Sequence, residues 1–181
     1  APRWVVARSR EETIAARRAE IALAPEDSAV VGLSTYHDDH IGQAAGFPGA
    51  TVVMNAREIA AIRERPIDSA AQQLAPWISG GGEIAEFAGD HDVFGDGTVT
   101  VVATPGHTPG HSALLVRLPE AGDLLLTGDL YHFGEQIANR GVPVFNTNRA
   151  VTLASFERFN AMAEALEATV IIQHDPRYVD R

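Results

Sequence analysis

Residues 34–42 read Ser-Thr-Tyr-His-Asp-Asp-His-Ile-Gly and directly follow the apolar run Ala-Val-Val-Gly-Leu of residues 29–33. The apolar run predicts a buried strand. The segment after it holds two imidazoles and two carboxylates within four residues, and both groups are common ligands of divalent metal ions. The sequence therefore predicts a metal site at the C-terminal end of this strand.

Further metal-ligating side chains follow three later apolar runs. His107 and His111 lie in Pro-Gly-His-Thr-Pro-Gly-His, Asp129 in Thr-Gly-Asp, and His174 in Gln-His-Asp. One histidine at a strand end is unremarkable, but four such strand ends suggest a shared site for more than one metal ion. We expect His107 to be a turn residue or a residue that contacts the ligands without binding metal itself, and His91 to be a solvated turn residue.

The composition is that of an ordinary globular domain. The chain has 181 residues, 45% of them hydrophobic and 21% charged, and we expect residues 1–181 to form a single domain. The net charge is −10, and the chain contains no lysine. This balance argues against a nucleic-acid partner, which requires a basic surface, and favours a small-molecule substrate.

The absence of two sequence features excludes further classes of function. No window approaches the roughly 18 consecutive apolar residues of a membrane span, so no membrane partner is expected. The chain has no cysteine, which excludes thiolate metal sites and disulfides. No signal peptide begins this chain, and the localisation of the expected soluble protein is left open between cytoplasm and periplasm.

The hydrophobic pattern predicts an α/β domain with a mixed sheet and helices outside it. Tyr131–Arg149 is expected to be a long connection, Asp92–Asp96 a turn, and residues 66–82 a loop with one short helix. The predicted strands are 4–7, 29–34, 51–54, 98–103, 112–118, 123–127 and 169–173, and the predicted helices are 11–23, 56–64 and 149–168.

The motifs resemble those of the metallo-β-lactamase-fold hydrolases, and within them the N-acyl homoserine lactonase-like group. The first motif of that family is His-x-His-x-Asp-His, and residues 35–40 here read Thr-Tyr-His-Asp-Asp-His. The segments Thr-Pro-Gly-His-Thr-Pro-Gly-His, Thr-Gly-Asp-Leu and Gln-His-Asp-Pro match as well, in the family's order. The resemblance implies an αββα sandwich and a metal-dependent hydrolase.

The resemblance also implies a site with one or two zinc ions, although iron, manganese or cobalt would suit the same ligands. The implied ligands are His37 and His111 for site 1, then Asp39, His40 and His174 for site 2, with Asp129 bridging. A hydroxide held by the ions would open an acyl homoserine lactone, while Asp39 or Asp129 accepts a proton. Tyr131 would hydrogen-bond the substrate carbonyl, with His132 as the alternative.

Two departures from the family pattern modify these expectations. Thr35 stands in place of the first motif histidine, so site 1 is expected to be weakened or empty. Nothing before residue 29 resembles the family's N-terminal β-rich segment, so the first β layer is expected to be missing and a homodimer becomes possible.

Two alternative functions therefore stay open. One is another hydrolase of the same fold, such as a β-lactamase or a thioesterase, because specificity would depend on the loops at 66–82 and 131–149. The other is a catalytically silent metal-binding protein, which the replacement of a histidine by Thr35 favours.

Overall fold

The structure, a computed structural model, describes residues 13–65 and 68–179. The strand predicted at residues 4–7 lies outside this range. The helices are α1 Ile14–Glu20, α2 Asp38–Ile41, α3 Ala56–Arg63, α4 Ser69–Gln73, α5 Ala75–Ile78, α6 Glu135–Asn139, α7 Arg149–Ala165 and α8 Pro176–Val179. The strands are β1 Val30–Gly32, β2 Thr51–Asn55, β3 Ile84–Phe87, β4 His91–Asp92, β5 Val99–Ala103, β6 Ser112–Leu118, β7 Gly122–Leu126 and β8 Thr169–Ile171.

The strands form two sheets. The first has three parallel strands in the order β1-β2-β3. The second has five strands in the order β4-β5-β6-β7-β8, antiparallel except for the final parallel pair β7 and β8. Parallel neighbours require a crossover connection, and α7 lies in the crossover between β7 and β8.

The two sheets pack face to face and carry helices on their outer faces. Successive side chains of a strand point to opposite faces. Accordingly Val53 of β2 meets Val101 of β5 between the sheets. Val52 and Met54 on the other face of β2 pack with residues of α3, α4 and α5. On the outer face of the second sheet, Phe156 of α7 packs with residues of β6 and β7. The layer order is therefore αββα, as predicted.

Asparagine side chains begin two of the helices. Asn55 is the last residue of β2, and its side chain accepts a hydrogen bond from the Arg57 backbone N–H at 3.0 Å. Helix α3 therefore begins directly after β2, without an intervening loop. The Asn148 side chain accepts from the Val151 backbone N–H at 3.0 Å and starts α7. Such caps satisfy backbone donors that the first helical turn leaves unpaired. They also fix where each helix begins relative to the neighbouring loops.

The described elements differ from the predicted ones at several points. The first β layer contains β1, β2 and β3, which all come from residues 30–87; that the family's N-terminal β-rich segment is missing stays a prediction. The region expected to be a loop with one helix contains both α4 and α5. His91 lies in β4 rather than in a solvated turn, and its ring stacks on the ring of Phe87. Asp92 belongs to β4 and also stabilises the turn that follows, because its carboxylate accepts hydrogen bonds from backbone N–H groups of that turn.

None of the helices among residues 13–65 and 68–179 has the length and apolar character needed to span a membrane.

Replacing Phe159 by alanine should destabilise the fold strongly. Its side chain is fully buried between α7 and the second sheet, and truncation of a buried phenylalanine costs about 3–5 kcal/mol. Urea unfolding of the wild type and of Phe159→Ala measures the loss. Val144→Ala, at a fully exposed position, is the control and should change stability by less than about 0.5 kcal/mol. An equal effect of both substitutions would contradict the assigned core.

Candidate metal centre

Four connecting segments meet at one edge of the sandwich and carry the polar cluster. They follow β1, β5, β7 and β8 respectively. The Ser112 backbone N–H at the start of β6 donates to the Ser34 carbonyl after β1 at 2.9 Å. This bond joins the two sheets at the cluster and brings residues far apart in sequence to the same edge.

The first group of potential metal ligands consists of His37, His107 and Asp129. His107 Nε2 lies 2.9 Å from both His37 Nδ1 and Asp129 Oδ2. His37 Nδ1 lies 3.6 Å from the same carboxylate oxygen. His37 immediately precedes α2, and His107 lies in the loop between β5 and β6.

The second group consists of Asp39, His40 and His174. The Nε2 atoms of His40 and His174 are 3.3 Å apart, and each is 3.5–3.6 Å from Asp39 Oδ2. The other oxygen of Asp129, Oδ1, lies 3.0 Å from His40 Nε2 and 2.9 Å from His174 Nε2. Asp129 therefore contributes one oxygen to each group and lies between them.

These distances suit metal ions. Ligand atoms at a tetrahedral zinc centre, with bonds of about 2.0–2.1 Å, are about 3.3 Å apart. The distances between nitrogen and oxygen atoms within the two groups are slightly shorter or slightly longer than this value. Asp129 Oδ1 is also buried without a partner in hydrogen-bond geometry, although two imidazole nitrogens lie within 3.0 Å. Lone pairs that converge on a common point, rather than on one another, fit a cation.

The Asp129 carboxylate is nearly buried, with 4% of its side chain exposed. Burial opposes ionisation, but contacts with His107, His174, His37 and His40 hold the pKa of this carboxyl well below its usual range. The hydrogen bond to Asp129 is in turn the main cause that raises the pKa of His37. The centre therefore holds a permanent negative charge surrounded by imidazoles.

His107 lies beside His37 and Asp129, where the resemblance implied that His111 would be a metal ligand. Its side chain is 1% exposed and its Nδ1 lies 3.1 Å from Asn146 Oδ1. With the proton on Nδ1 donated to that oxygen, the lone pair of Nε2 faces Asp129 and His37. The backbone carbonyl of His107 accepts from Thr147 at 3.0 Å, which fixes the loop. A hydrogen bond of this kind orients a ligating histidine.

His111 is corrected from a metal ligand to a support for Asp129. Its Nδ1 donates to the Thr104 carbonyl at 3.0 Å, and its Nε2 accepts from the Asp129 backbone N–H at 2.9 Å. Both ring nitrogens are thus used by the protein. Burial lowers the pKa of His111 to about 3, so the ring is neutral and can accept this bond. A Cβ on Gly128 would lie 2.7 Å from the ring, which explains a glycine next to Asp129.

Thr35 belongs to neither ligand group found among the described residues. Its side chain is fully buried, and its hydroxyl lies 3.1 Å from the Thr108 hydroxyl. Thr108 donates to Glu58 Oε1 at 2.5 Å, and the Gly110 backbone N–H donates to Glu58 Oε2 at 2.7 Å. Burial raises the pKa of Glu58. This buried carboxyl joins the loop of His37 to the loop of His107, and the sequence prediction missed it.

Tyr131 is corrected from a substrate-binding residue to a core residue. It is fully buried, stacks on Phe156 with ring centroids 4.4 Å apart, and donates its hydroxyl to Asn160 Oδ1 at 3.1 Å. The next residue, His132, points into the cluster instead, with its Nε2 3.9 Å from Asp129 Oδ1. Burial lowers the pKa of His132 to about 4.

Comparison with known proteins agrees with this geometry. A profile of the metallo-beta-lactamase superfamily matches residues 10–174. The chain belongs to the metallo-beta-lactamase superfamily. Within it, the chain is 33% identical to the N-acyl homoserine lactonase AttM of Azorhizobium caulinodans over 189 aligned positions, which cover 96% of this chain and 67% of that protein. It is 34% identical to AttM of Agrobacterium fabrum, covering 84% of this chain and 60% of the relative.

Solved structures of lactone hydrolases share the fold. An N-acyl homoserine lactone hydrolase with the product N-hexanoyl-L-homoserine at its catalytic metal centre superposes with a TM-score of 0.80 at 23% identity, covering 95% of this chain and 66% of that one. The dizinc quorum-quenching lactonase AidC gives a TM-score of 0.68 at 18% identity, covering 90% and 63%. The chain thus spans roughly two thirds of the length of these proteins.

Substitution of His107 and of His111 should have different effects on metal content. His107→Ala removes a nitrogen from the first group and should lower bound zinc by about one ion per chain. His111→Ala removes only a support and should lower stability by about 1–3 kcal/mol, the cost of leaving a buried donor unpaired. Elemental analysis of protein equilibrated with saturating zinc, with the free zinc subtracted and His91→Ala as the control, measures the bound zinc. Loss of an ion from His111→Ala but not from His107→Ala would restore the original assignment.

Proposed function

We propose that this protein is a metal-dependent hydrolase that opens the ring of an N-acyl homoserine lactone or a related lactone. The main support is the Asp129 carboxylate, whose two oxygens each face a separate group of imidazole nitrogens. The names of the AttM relatives support the substrate class.

We assign His37, His107 and Asp129 to one metal site and Asp39, His40, His174 and Asp129 to the other. Imidazole and carboxylate ligands suit zinc, and also iron, manganese or cobalt. When bound, such ions would supply polarisation of the lactone carbonyl and acidification of a water molecule. The three ligands of the first site leave room for water or substrate, as catalytic zinc sites require.

The carboxylates have different roles in this proposal. Asp129 stays ionised because four histidines contact it, so it acts as a bridge and is a weak proton acceptor. Asp39 is more exposed, with 47% of its side chain accessible. We therefore assign to the Asp39 carboxylate the acceptance of the proton from water and its delivery to the leaving alkoxide of the opened ring.

A cavity of about 420 Å³ beside His37 is suited to the acyl group. Its walls come from the regions where specificity was expected, with Asp68 and Ser69 on one side and Phe145 and Thr147 on the other. Asp38 also lines it and accepts a hydrogen bond from Ser69 at 2.5 Å. This mixed polar lining favours a short or polar acyl group over a long alkyl chain.

The two metal sites should differ in affinity. The first group has three protein ligands because Thr35 stands where the family has a histidine, and the second has four with Asp129. Competition of the apoprotein with a zinc chelator should show one tight and one weaker ion. His37→Ala should remove the weaker ion and His174→Ala the tighter one. Equal affinities, or loss of the tight ion from His37→Ala, would contradict this order.

The catalytic proposal is tested by turnover on three substrate classes. The zinc-loaded protein should hydrolyse butanoyl- and hexanoyl-homoserine lactone faster than a β-lactam or a glutathione thioester, and chelation should abolish the activity. His174→Ala is the inactive control. Preferred turnover of the β-lactam or the thioester would favour another hydrolase of this fold. Tight zinc binding without any turnover would favour a silent metal-binding protein, the alternative that Thr35 supports.

A further inference from the structure

Glu58 is a fully buried carboxylate that no step of the proposed reaction uses. It lies in the first turn of α3. Its Oε1 accepts hydrogen bonds from the Tyr36 backbone N–H at 3.1 Å and from the Thr108 hydroxyl at 2.5 Å. Its Oε2 accepts from the Gly110 backbone N–H at 2.7 Å. Each oxygen therefore binds one backbone N–H, and the two N–H groups belong to different loops.

These two loops carry both imidazoles of the first ligand group. Tyr36 directly precedes His37, and Thr108 directly follows His107. The Thr108 hydroxyl has one proton, which it donates to the carboxylate, so the Thr35 hydroxyl 3.1 Å away is the donor to Thr108. The hydrogen bonds thus run from one loop through the carboxylate to the other.

The carboxylate is attached to a rigid part of the fold. A Cβ on Gly110 would lie 2.6 Å from the Glu58 backbone nitrogen and 2.8 Å from Oδ1 of Asn55, the residue that caps α3. The loop after β5 therefore lies directly against the first turn of this helix, and only a glycine permits that approach. Helix α3 is a common support for both loops.

We propose that Glu58 is a positioning residue that sets the separation of His37 and His107 and thereby the metal affinity of the first group. This group has three protein ligands, so no fourth ligand compensates for a displaced imidazole. His40 of the second group has a different support, the Ser34 hydroxyl, which lies 3.3 Å from its Nδ1. The effect of Glu58 should therefore be confined to the first ion. This role rests on the metal sites of the proposed function.

Glu58→Gln is the sharpest test because it keeps the shape of the side chain. An amide has a single oxygen, and its NH2 group would face the backbone N–H of either Tyr36 or Gly110, neither of which can accept a hydrogen bond. One loop should therefore be released. Loss of the groups that orient metal ligands lowers metal affinity by about 10–100-fold. Competition with a zinc chelator should show this loss for the ion that His37→Ala removes and no change for the other ion.

Two further variants separate positioning from general stability. Thr108→Val removes one hydroxyl from a side chain of similar shape and should weaken the first ion by about tenfold. Ile59→Val, at the adjacent buried residue of α3, is the matched control, because it lowers stability through the core and should leave both zinc affinities unchanged. The absorption bands of cobalt(II) in the first site should shift in Glu58→Gln and Thr108→Val but not in Ile59→Val.

Each outcome decides the role. Unchanged affinity for the first ion in both Glu58→Gln and Thr108→Val would overturn it, and so would equal weakening of both ions or the same loss in Ile59→Val. None of these measurements needs a substrate. A wild type that binds two ions but opens no lactone would contradict the proposed function and leave the role of Glu58 intact. A wild type that binds no zinc would overturn both.

Discussion

The buried carboxylate of Asp129 is the interaction on which the rest of the site depends. A nearly buried carboxylate is unfavourable unless positively charged or hydrogen-bonding groups surround it. Here the Asp129 carboxylate is surrounded by imidazoles from the segments that follow β1, β5, β7 and β8. The same convergence divides the ligands into two groups, one for each oxygen of the carboxylate. A cation held at each group would offset the negative charge of the Asp129 carboxylate.

The support beneath the centre comes from neutral or unusually buried groups. His111 holds the backbone of Asp129, and Glu58 connects the loops that carry His37 and His107. Neither side chain reaches the metal sites, yet each fixes the position of residues that do. Thr35 is part of the Glu58 cluster. The residue that replaces the family histidine has therefore become part of the support rather than leaving an open gap.

Much of the fold follows from local pattern. The apolar runs predicted β1, β2, β5, β6, β7 and β8, and the hydrophobic pattern of residues 149–168 predicted the helix α7. The strand β3 was missed because it has only four residues and follows three glycines. Its pairing with β2 joins residues about 30 positions apart, which no local window detects.

The ligand set was predictable only in part. His107 and His111 both end a Pro-Gly-His unit, and only the approach of the Asp129 backbone to His111 separates their roles. Tyr131 has extended backbone angles, and in extended backbone the side chains of neighbouring residues point to opposite sides. Tyr131 therefore lies in the core and its neighbour His132 in the site. A sequence window contains both residues but does not show which side faces the carboxylate.

Anomalous diffraction at the zinc edge from crystals soaked in zinc tests the central claim most directly. Two anomalous peaks should flank the Asp129 carboxylate, one bounded by His37 and His107 and the other by Asp39, His40 and His174. Peaks that avoid Asp129, or a zinc ion bonded to His111, would contradict the arrangement described for this centre.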